Sequence, residues 1–542
     1  MAIRALLFLA LAAFGVWWQR PPLGLDYGGF WFFLCELAVL ALWLFGLPAL
    51  VRRRPTVGLP VVPRWLRYAL PLLGVLVLVM WGSTAPMLHA QRYAGLLGPL
   101  QDAGTDSTRG GLPALSVERA PLVSEAVARK EAETKLGLVD PALGSITRIG
   151  ALHRQVVNGE LVWVGVLEHS GFFAWWRNRA TPGYVVVSAT DVQRLRVVRE
   201  LGGQPLKLRY LNSAYWQDLL PRHAYFNGSQ RHRLGQAIPE LDERGRPFMV
   251  VPLLRHEIGL AGPVVDAVLL IDMQTGAVQR HAVDAVPDWV DNVQPERLVY
   301  RRLEDWGRYH SGGWLNPSQQ GRLQTSTWQL DLVTGEDGRS YWVTGLTSVG
   351  RDTSLTGIVL VDTRSGAARR FAISGVIEEE ATAIMEQAWR EKGYRASNPT
   401  PLQVDGTPAY VTALTDVSGA TQAYAVLGIQ NKELLGTGNT LAAAIRAFQS
   451  RRLGQERTAA LQMAGPERHE GVVARIAASV RSGSTVFHLT LQSQPTRLFT
   501  AAGDLSEELP LTQPGDSVQL EAVAAGAVHE IRRFDNRALG EP

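Results

Sequence analysis

The 542-residue sequence has one cysteine and lacks the local signatures of common enzyme classes. Cys35 lies in an apolar run near the N-terminus, so the rest of the chain can form no internal disulfide and must be stabilised by packing. There is no His-Glu-x-x-His, Gly-x-Ser-x-Gly or P-loop pattern, and no Ser-x-x-Lys with its supporting motifs. The sequence thus indicates no catalytic residue, metal or cofactor site, and favours a non-enzymatic protein.

One local group of polar residues resembles acid–base machinery. Glu304, Asp305 and His310 lie close together in the sequence, and carboxylates near a histidine can move protons. The same residues are explained by the exposed end of an amphipathic helix over 294–308, and that explanation is preferred.

Charge is distributed unevenly along the chain. Residues 1–86 carry a net charge of +5, whereas the whole chain carries +4, so residues 87–542 are close to neutral. A nearly neutral region of about 450 residues lacks the basic surface of a nucleic-acid-binding protein and is too long for one hydrophobic core. We therefore expect several domains and no nucleic acid partner.

Three apolar runs, over 2–18, 30–51 and 68–85, precede the polar part of the chain. Roughly 20 helical residues cross the hydrocarbon core of a bilayer, so each run is a candidate transmembrane helix. The first run could instead be a signal peptide, but the sequence Gln19-Arg20-Pro21-Pro22 is a poor start for a mature chain and favours a retained helix. We expect a three-helix membrane anchor over 1–86 and a linker over 87–120.

The orientation of the anchor follows from its arginines. Five of them lie in the loop between the second and third runs: Arg52, Arg53, Arg54, Arg64 and Arg67. The positive-inside rule makes this loop cytoplasmic, so the large domain lies outside the cytoplasmic membrane, either in a periplasm or extracellularly. Aromatic residues near the outer helix ends fit this layout: Trp17, Trp18, Tyr27, Trp31 and Trp81. Glu36, inside the second run, is a functional candidate, although contact with neighbouring helices or snorkelling would also explain it.

Four later segments share the pattern Gly, three residues, a large residue, Val, two residues, Leu. They are residues 159–167, 245–253, 338–346 and 406–414. In three of them Asn or Asp precedes the glycine, which is a strong signal for a hairpin turn. Apolar residues at helical spacing precede the first and fourth segments, over 124–136 and 377–394. Each repeat therefore predicts a helix and an antiparallel sheet, which is an α+β fold.

This combination resembles the PepSY family of small extracytoplasmic α+β domains. The resemblance is carried by Asp337-Gly338, Trp342-Val343 and the Val-Asp-x-x-Ser-Gly sequence over 361–366, and the fourth repeat shares Asp405-Gly406 and Tyr410-Val411. The repeated pattern divides this region into four units: 121–200, 201–285, 286–375 and 376–453. The resemblance implies a role in regulating peptidases or in membrane-bound extracytoplasmic assemblies, and it transfers no catalytic residues.

The C-terminal region is rich in predicted strands. A polar linker over 454–469 is expected to precede a module over 470–542. Its five predicted strands are 471–478, 485–492, 496–500, 517–524 and 528–534. Five short strands within about 65 residues resemble a small OB-like β-barrel. Basic residues do not alternate with exposed aromatics here, which favours protein docking over nucleic acid binding.

An unusual aromatic segment interrupts the first repeat. Four aromatic residues and two arginines make it a candidate contact with the membrane or with a partner protein: Phe172, Phe173, Trp175, Trp176, Arg177 and Arg179. The alternative is that these rings cover their own sheet or pack beneath the next repeat.

Three functional hypotheses follow. The leading one is a non-enzymatic, membrane-anchored scaffold or assembly protein of a bacterial cell envelope, which binds the lipid bilayer and other envelope proteins. The second is a PepSY-like regulator or inhibitor of an envelope peptidase, and the third is a cell-envelope hydrolase with an unrecognised site. A deep pocket with convergent ionisable side chains would favour the third. A homo-oligomer is compatible with each.

Overall fold

The computed structural model describes residues 2–41, 43–44, 64–102, 112, 120–311, 321–327, 329–335, 337–349, 354–463, 466–481, 484–525 and 528–540. The chain divides into two compact units, residues 1–445 and residues 446–542. The described residues form a mixed α+β protein with a strand-rich body, as the sequence predicted.

Helices open the described chain: α1 (Ala2–Gln19), α2 (Gly28–Ala41), α3 (Arg64–Thr84) and α4 (Pro86–Gly95). Among the described residues, α1 is the helix that is long and apolar enough to cross a membrane, and α2 is apolar but shorter. A signal sequence has the same length and composition as α1. Residues 45–63, with Arg52, Arg53 and Arg54, lie outside the described residues, so the three-helix anchor and its orientation stay predictions.

The remaining described helices are α5 (Glu125–Val139), α6 (Pro141–Ile146), α7 (Phe172–Asn178), α8 (Leu220–Ala224), α9 (Glu296–Tyr309), α10 (Glu378–Gln387) and α11 (Leu441–Met463). Helical turns occupy Trp216–Asp218, Tyr225–Ser229, Val283–Ala285, Arg390–Lys392 and Leu509–Leu511. Ser124 caps α5 by accepting a hydrogen bond from the Val127 amide. α10 is shorter than the helix predicted over 377–394, because Trp389 leaves helical backbone angles and Gly393 has a left-handed φ of +65°.

Four sheets within residues 1–445 share one strand order. After β1 (Gln101–Asp102), the first sheet contains β2 (Thr147–Ile149), β3 (His153–Val157), β4 (Glu160–His169), β5 (Tyr184–Ser188) and β6 (Leu195–Val198). A small ribbon, β7 (Glu200–Leu201) and β8 (Gln204–Pro205), precedes the second sheet: β9 (Arg233–Leu234), β10 (Ile238–Leu241), β11 (Pro247–Ile258), β12 (Ala261–Asp272) and β13 (Val278–Ala282).

The third sheet contains β14 (Leu323–Thr325), β15 (Asp331–Thr334), β16 (Ser340–Ser348), β17 (Ser354–Asp362), β18 (Ala368–Phe371) and β19 (Gly375–Val376), with β1 parallel to β18. The fourth contains β20 (Arg395–Ala396), β21 (Thr400–Val404), β22 (Thr407–Thr415), β23 (Thr421–Gly428) and β24 (Leu435–Gly438). In each sheet two short strands pair with the two halves of β4, β11, β16 or β22, which then pairs with the following strand.

The four Gly-to-Leu segments lie at corresponding places in these sheets. Their valines face apolar partners across the next strand in the pairs Val164–Val186, Val250–Leu270, Val343–Leu360 and Val411–Val426. A β-bulge directly follows the leucine of the pattern in the second, third and fourth sheets, at Leu253, Leu346 and Leu414. In the first sheet, α7 is inserted after the corresponding strand.

The first sheet is buried on both faces, because successive side chains of β4 point to opposite sides. One set consists of Leu161, Trp163 and Leu167, which share a core with α5 and with Trp342 and Leu346 of the third sheet. The other set consists of Val162, Val164 and Val166, which share a core with Met249, Val251 and Leu253 of the second sheet. The first sheet therefore packs against both the second and the third.

The second unit contains a closed barrel of β25 (Glu467–Arg481), β26 (Ser484–Leu491), β27 (Gln494–Ala502), β28 (Ser517–Ala525) and β29 (Val528–Asn536), in the order β25-β26-β27-β29-β28. The sequence predicted a polar linker over 454–469. The structure instead continues α11 to Met463 and begins β25 at Glu467. Arg452 and Glu456, four residues apart, form an ion pair that supports the longer helix.

Candidate functional site

The connection between α1 and α2 lies against the second sheet. Tyr27 Oη donates to the Leu254 carbonyl oxygen (3.0 Å), and His256 Nδ1 lies 2.8 Å from the Asp26 carbonyl oxygen. Two further hydrogen bonds join the connection to the segment just before the second sheet: Leu23 N to Gln230 O (2.6 Å) and Tyr225 Oη to Pro21 O (2.8 Å). Tyr27 is buried by this contact. The sequence expectation that Tyr27 lies at the outer membrane interface stays a prediction.

The second sheet reaches α3 and α4 because its central hairpin is long. β11 and β12 have 12 residues each, whereas β16 and β17 of the third sheet have 9 each. At the hairpin tip, Gly259 has φ +55° and lies against α3, where an added Cβ would come within 2.5 Å of the Ser83 carbonyl oxygen. Arg92 of α4 donates to the Glu257 carbonyl oxygen (2.5 Å). The extra length of this hairpin thus provides contacts with α3 and α4.

α7 carries the aromatic segment that the sequence singled out, and one of its rings is a core residue. Trp175 has 0% exposure and packs between the first and second sheets. The assignment of Trp175 as a membrane or partner contact is therefore corrected. Because the segment is helical, its side chains point in several directions, and Trp175 is the one directed into the body.

The other candidate side chains of α7 face outward. Phe173 is 83% exposed and Trp176 is 57% exposed, and Phe172 and Arg177 are exposed as well. The Arg179 guanidinium lies over the rings of Trp175 (4.2 Å) and Trp176 (4.9 Å). Cation–π contacts at exposed sites contribute about 0.5–1 kcal/mol, so Arg179 helps to orient the exposed Trp176 ring.

A row of aromatic rings joins α7 to the end of α1. Phe172 contacts Tyr215, with 5.2 Å between ring centroids, and the neighbouring Trp216 contacts Trp17 at 5.8 Å. Trp216 has a left-handed φ of +55°, which is rare for a bulky residue and requires support from its surroundings. Arg222 Nη1 donates to the Trp216 carbonyl oxygen (2.7 Å). The exposed members of this row form the aromatic surface: Phe172, Phe173, Trp176, Tyr215 and Trp216.

Glu36 joins the first two helices. Its Oε2 accepts a hydrogen bond of 2.5 Å from Nε2 of Gln19, the last residue of α1. Polar side chains commonly make such bonds between apolar helices. The structure thus gives Glu36 a helix–helix contact, which agrees with the simpler of the two sequence interpretations.

A cleft of about 710 Å³ is lined by residues of the first, second and third sheets and by the connection between β20 and β21 of the fourth. Two helices begin at this cleft, and each has a glutamate as its first residue, Glu125 in α5 and Glu296 in α9. Two lining indoles make matching hydrogen bonds: Trp163 to the Val123 carbonyl and Trp342 to the Gln294 carbonyl, both 2.9 Å. The first and third sheets therefore contribute an indole to the cleft in the same way.

Ionisable groups of the cleft form an ion pair and hydrogen bonds with neighbouring side chains. Arg154 Nη1 lies 3.4 Å from Asp331 Oδ1, and Asp331 Oδ2 accepts hydrogen bonds from Asn398 (2.9 Å) and Thr400 (3.2 Å). Burial raises the pKa of Asp331, and Arg154 opposes that rise. Burial lowers the pKa of His153 to about 4, so its imidazole is neutral at pH 7. This arrangement is a largely buried ion pair that joins the first, third and fourth sheets.

The residues of the acid–base group considered from sequence have separate partners. Glu304 accepts hydrogen bonds from the amide and hydroxyl of Thr325 (2.9 and 2.8 Å), and His310 stacks on Trp306. Burial raises the pKa of Asp305 to about 6. In the part of the chain that the structure describes, no group of three or more His, Cys, Asp or Glu side chains could hold a metal ion.

Comparison with known proteins adds little to this geometry. No protein-family model matches the chain, and no curated protein matches it significantly. Among solved structures, the Trypanosoma rangeli sialidase in complex with the inhibitor DANA has 10% identity, with 71% of this chain and 54% of the sialidase covered and a TM-score of 0.17. A second sialidase has 9% identity, with 79% and 47% coverage and a TM-score of 0.16. The chain thus spans about half the length of these proteins, and similarity at this level supports neither a fold assignment nor an activity.

Proposed function

We propose that this chain is a non-enzymatic, membrane-anchored scaffold or binding protein of a bacterial cell envelope. Its apolar N-terminal segments hold it in the cytoplasmic membrane, and its body lies on the extracytoplasmic side. The proposal depends chiefly on the contact between the α1–α2 connection and the second sheet, in which Tyr27 and His256 make hydrogen bonds to the other surface. A body held in a defined orientation on its anchor can present fixed surfaces to other proteins.

In this proposal the four sheets are PepSY-like repeats and the C-terminal barrel is an OB-like module that docks protein. The partners are other envelope or membrane proteins. Support comes from the recurring strand order and from the nearly neutral charge of residues 87–542. A surface of this charge is suited to protein contacts and unsuited to nucleic acid.

Two alternative functions are a regulator of an envelope peptidase and a cell-envelope hydrolase. The PepSY resemblance favours a regulator or inhibitor of an envelope peptidase. The ionisable side chains of the cleft favour a cell-envelope hydrolase, but Arg154, Asn398 and Thr400 already engage the Asp331 carboxylate. A carboxylate whose oxygens are already bonded to neighbouring side chains has a structural role that accounts for its place in the cleft.

The test combines crosslinking in cells with substitutions in the cleft. A photoreactive amino acid is placed in the full-length chain at Val417, which is 99% exposed, or at the exposed Leu511 of the barrel. The control is the same variants without irradiation. A scaffold is expected to give a discrete crosslinked envelope protein from the irradiated variants and none from the unirradiated ones.

The cleft substitutions are Glu125→Gln and Glu296→Gln, which keep the side-chain shape. A scaffold carrying both substitutions should still rescue a strain that lacks the protein. Rescue that fails although the variant is folded and reaches the membrane, together with the absence of a crosslinked partner, would replace the scaffold by the hydrolase.

A further inference from the structure

The aromatic surface is unusual for a body in water. Phe172 contacts Phe173 and Trp176, with ring centroids 5.5 and 5.9 Å apart, and Trp216 is 55% exposed at the other end of the row. Single exposed apolar residues are normal, but a contiguous group marks a contact surface for a protein or a membrane. Something is therefore expected to cover these rings.

The end of α1 indicates what covers them. α1 has 18 residues and ends in Trp17, Trp18 and Gln19, and tryptophan at the end of an apolar helix lies at the level of the lipid headgroups. Because the Trp17 ring contacts the Trp216 ring, Trp216 lies beside that level when α1 crosses the membrane. The rest of the aromatic surface continues from Trp216 through Tyr215 to α7. A bilayer is thus already adjacent to the rings, whereas a protein partner would have to bind at the lipid boundary.

We propose that the aromatic surface is seated in the headgroup region of the outer leaflet, so that the first and second repeats rest on the bilayer. This inference rests on the proposed membrane anchor. Trp and Tyr suit the region because their rings combine an apolar body with a polar group. Arg177 is exposed next to Trp176 and supplies a guanidinium for a lipid phosphate, while Arg179 keeps the Trp176 ring oriented. The bilayer then sets the orientation of both repeats.

The experiment uses the full chain reconstituted in vesicles of phosphatidylcholine and phosphatidylglycerol. Cys35 is replaced by serine, and a single cysteine is introduced at Phe173 or, as a matched exposed control, at Val417. Each is labelled with a polarity-sensitive fluorophore, and quenching by lipids that carry a shallow spin label is measured. The Phe173→Cys probe should show a blue shift and several-fold stronger quenching than the Val417→Cys probe. Adding Arg177→Glu should weaken that quenching.

The outcomes separate this inference from the proposed anchor. Flotation of the labelled protein with the vesicles tests the anchor alone. A chain that floats while its Phe173→Cys probe is as solvated and unquenched as the Val417→Cys probe would overturn the seating on the bilayer and leave the anchor intact. A probe that is solvated in these vesicles but shielded in native membranes would also overturn it, since the cover would then be a protein.

Discussion

The guanidinium carbon of Arg222 lies 3.6 Å from the centroid of the Trp17 ring, and Arg222 Nε donates a hydrogen bond of 3.2 Å to the Trp17 carbonyl oxygen. The two residues are 205 positions apart in the sequence. Arg222 is buried on α8 and also donates to the Trp216 carbonyl oxygen. One side chain therefore joins the end of the apolar helix to the loop that carries the aromatic surface.

Arg222→Ala should loosen this junction. Hydrogen bonds from a charged group contribute about 1.5–3 kcal/mol, and their loss leaves the partly buried carbonyl oxygens of Trp17 and Trp216 without this donor. We expect a fall of about 2–3 kcal/mol in the free energy of unfolding, together with faster proteolysis of the connection over 20–27. Unfolding of the full chain in detergent micelles checks this, with the exposed Arg177→Ala as control. Equal stability of the two variants would contradict the structural role of Arg222.

Trp175 and Trp176 are neighbours with opposite environments, so their replacement by alanine should have opposite consequences. Trp175→Ala should cost about 3–5 kcal/mol, because it leaves a large cavity in the shared core. Trp176→Ala should change stability by only about 0.5 kcal/mol, since its ring is mostly exposed. The two free energies of unfolding are compared by denaturant titration of the full chain. Similar losses would mean that both rings belong to the core.

The Arg154–Asp331 ion pair should behave as a unit. Removing either partner leaves a buried charge unpaired, so Arg154→Met and Asp331→Leu should each destabilise the protein by about 3–5 kcal/mol. The double variant should be more stable than the sum of the single losses predicts, because neither charge then remains. A double-mutant cycle measures this coupling. Additive losses would show that the two groups do not interact.

The lowered pKa of His153 predicts that the protein loses stability in mild acid. Burial lowers its pKa from 6.5 to about 4, so between these values the unfolded chain binds a proton that the folded chain does not. Stability therefore falls as the pH drops from 6.5 towards 4, by at most about 3 kcal/mol at 1.36 kcal/mol per pKa unit. The nearby Glu125 carboxylate favours the protonated form of the His153 imidazole, and the Arg129 guanidinium disfavours it.

His153→Gln should flatten this part of the stability profile. The comparison is made as the difference between the variant and the parent protein at each pH. Asp305 acts with the opposite sign, because its pKa is raised to about 6 and the folded state holds the extra proton. An unchanged slope in His153→Gln would show that another group controls the acid sensitivity.

The membrane topology is tested by reporter fusions after residues 60 and 95. The five-arginine loop predicts that the first fusion is cytoplasmic and the second extracytoplasmic. A reporter pair active on opposite sides of the membrane, such as a fluorescent protein and alkaline phosphatase, measures this directly. Both fusions on the same side would refute the orientation.

Most local elements of the structure could be predicted from the sequence. The helix predicted over 124–136 begins at Glu125 and buries Val127, Ala128, Ala132 and Leu136, because apolar residues at helical spacing form one face. The turns at Asn158-Gly159 and Asp405-Gly406 have positive φ at both residues, as such pairs favour. The predicted strands over 471–478 and 528–534 lie within β25 and β29, because strands too are indicated by residues close together in the sequence.

The candidate site could be predicted from the sequence only in part. The sequence singled out α7, but Tyr215, Trp216 and Arg222 were missed, and only the uncommon Tyr-Trp pair offered a signal. The cleft was missed altogether, because Arg154 and Asp331 are 177 positions apart and meet only when the first and third repeats pack together.

By itself, the sequence determined the apolar first helix, the recurring Gly-to-Leu pattern and the turn positions, because these depend on neighbouring residues and their periodicity. The tertiary structure decided that Trp175 is buried while Trp176 is exposed, that Tyr27 packs on the second sheet, and that Arg222 reaches Trp17. These outcomes depend on which surfaces of distant segments face each other. No periodicity within one segment carries that information, since a side chain's burial is set by the element packed against it.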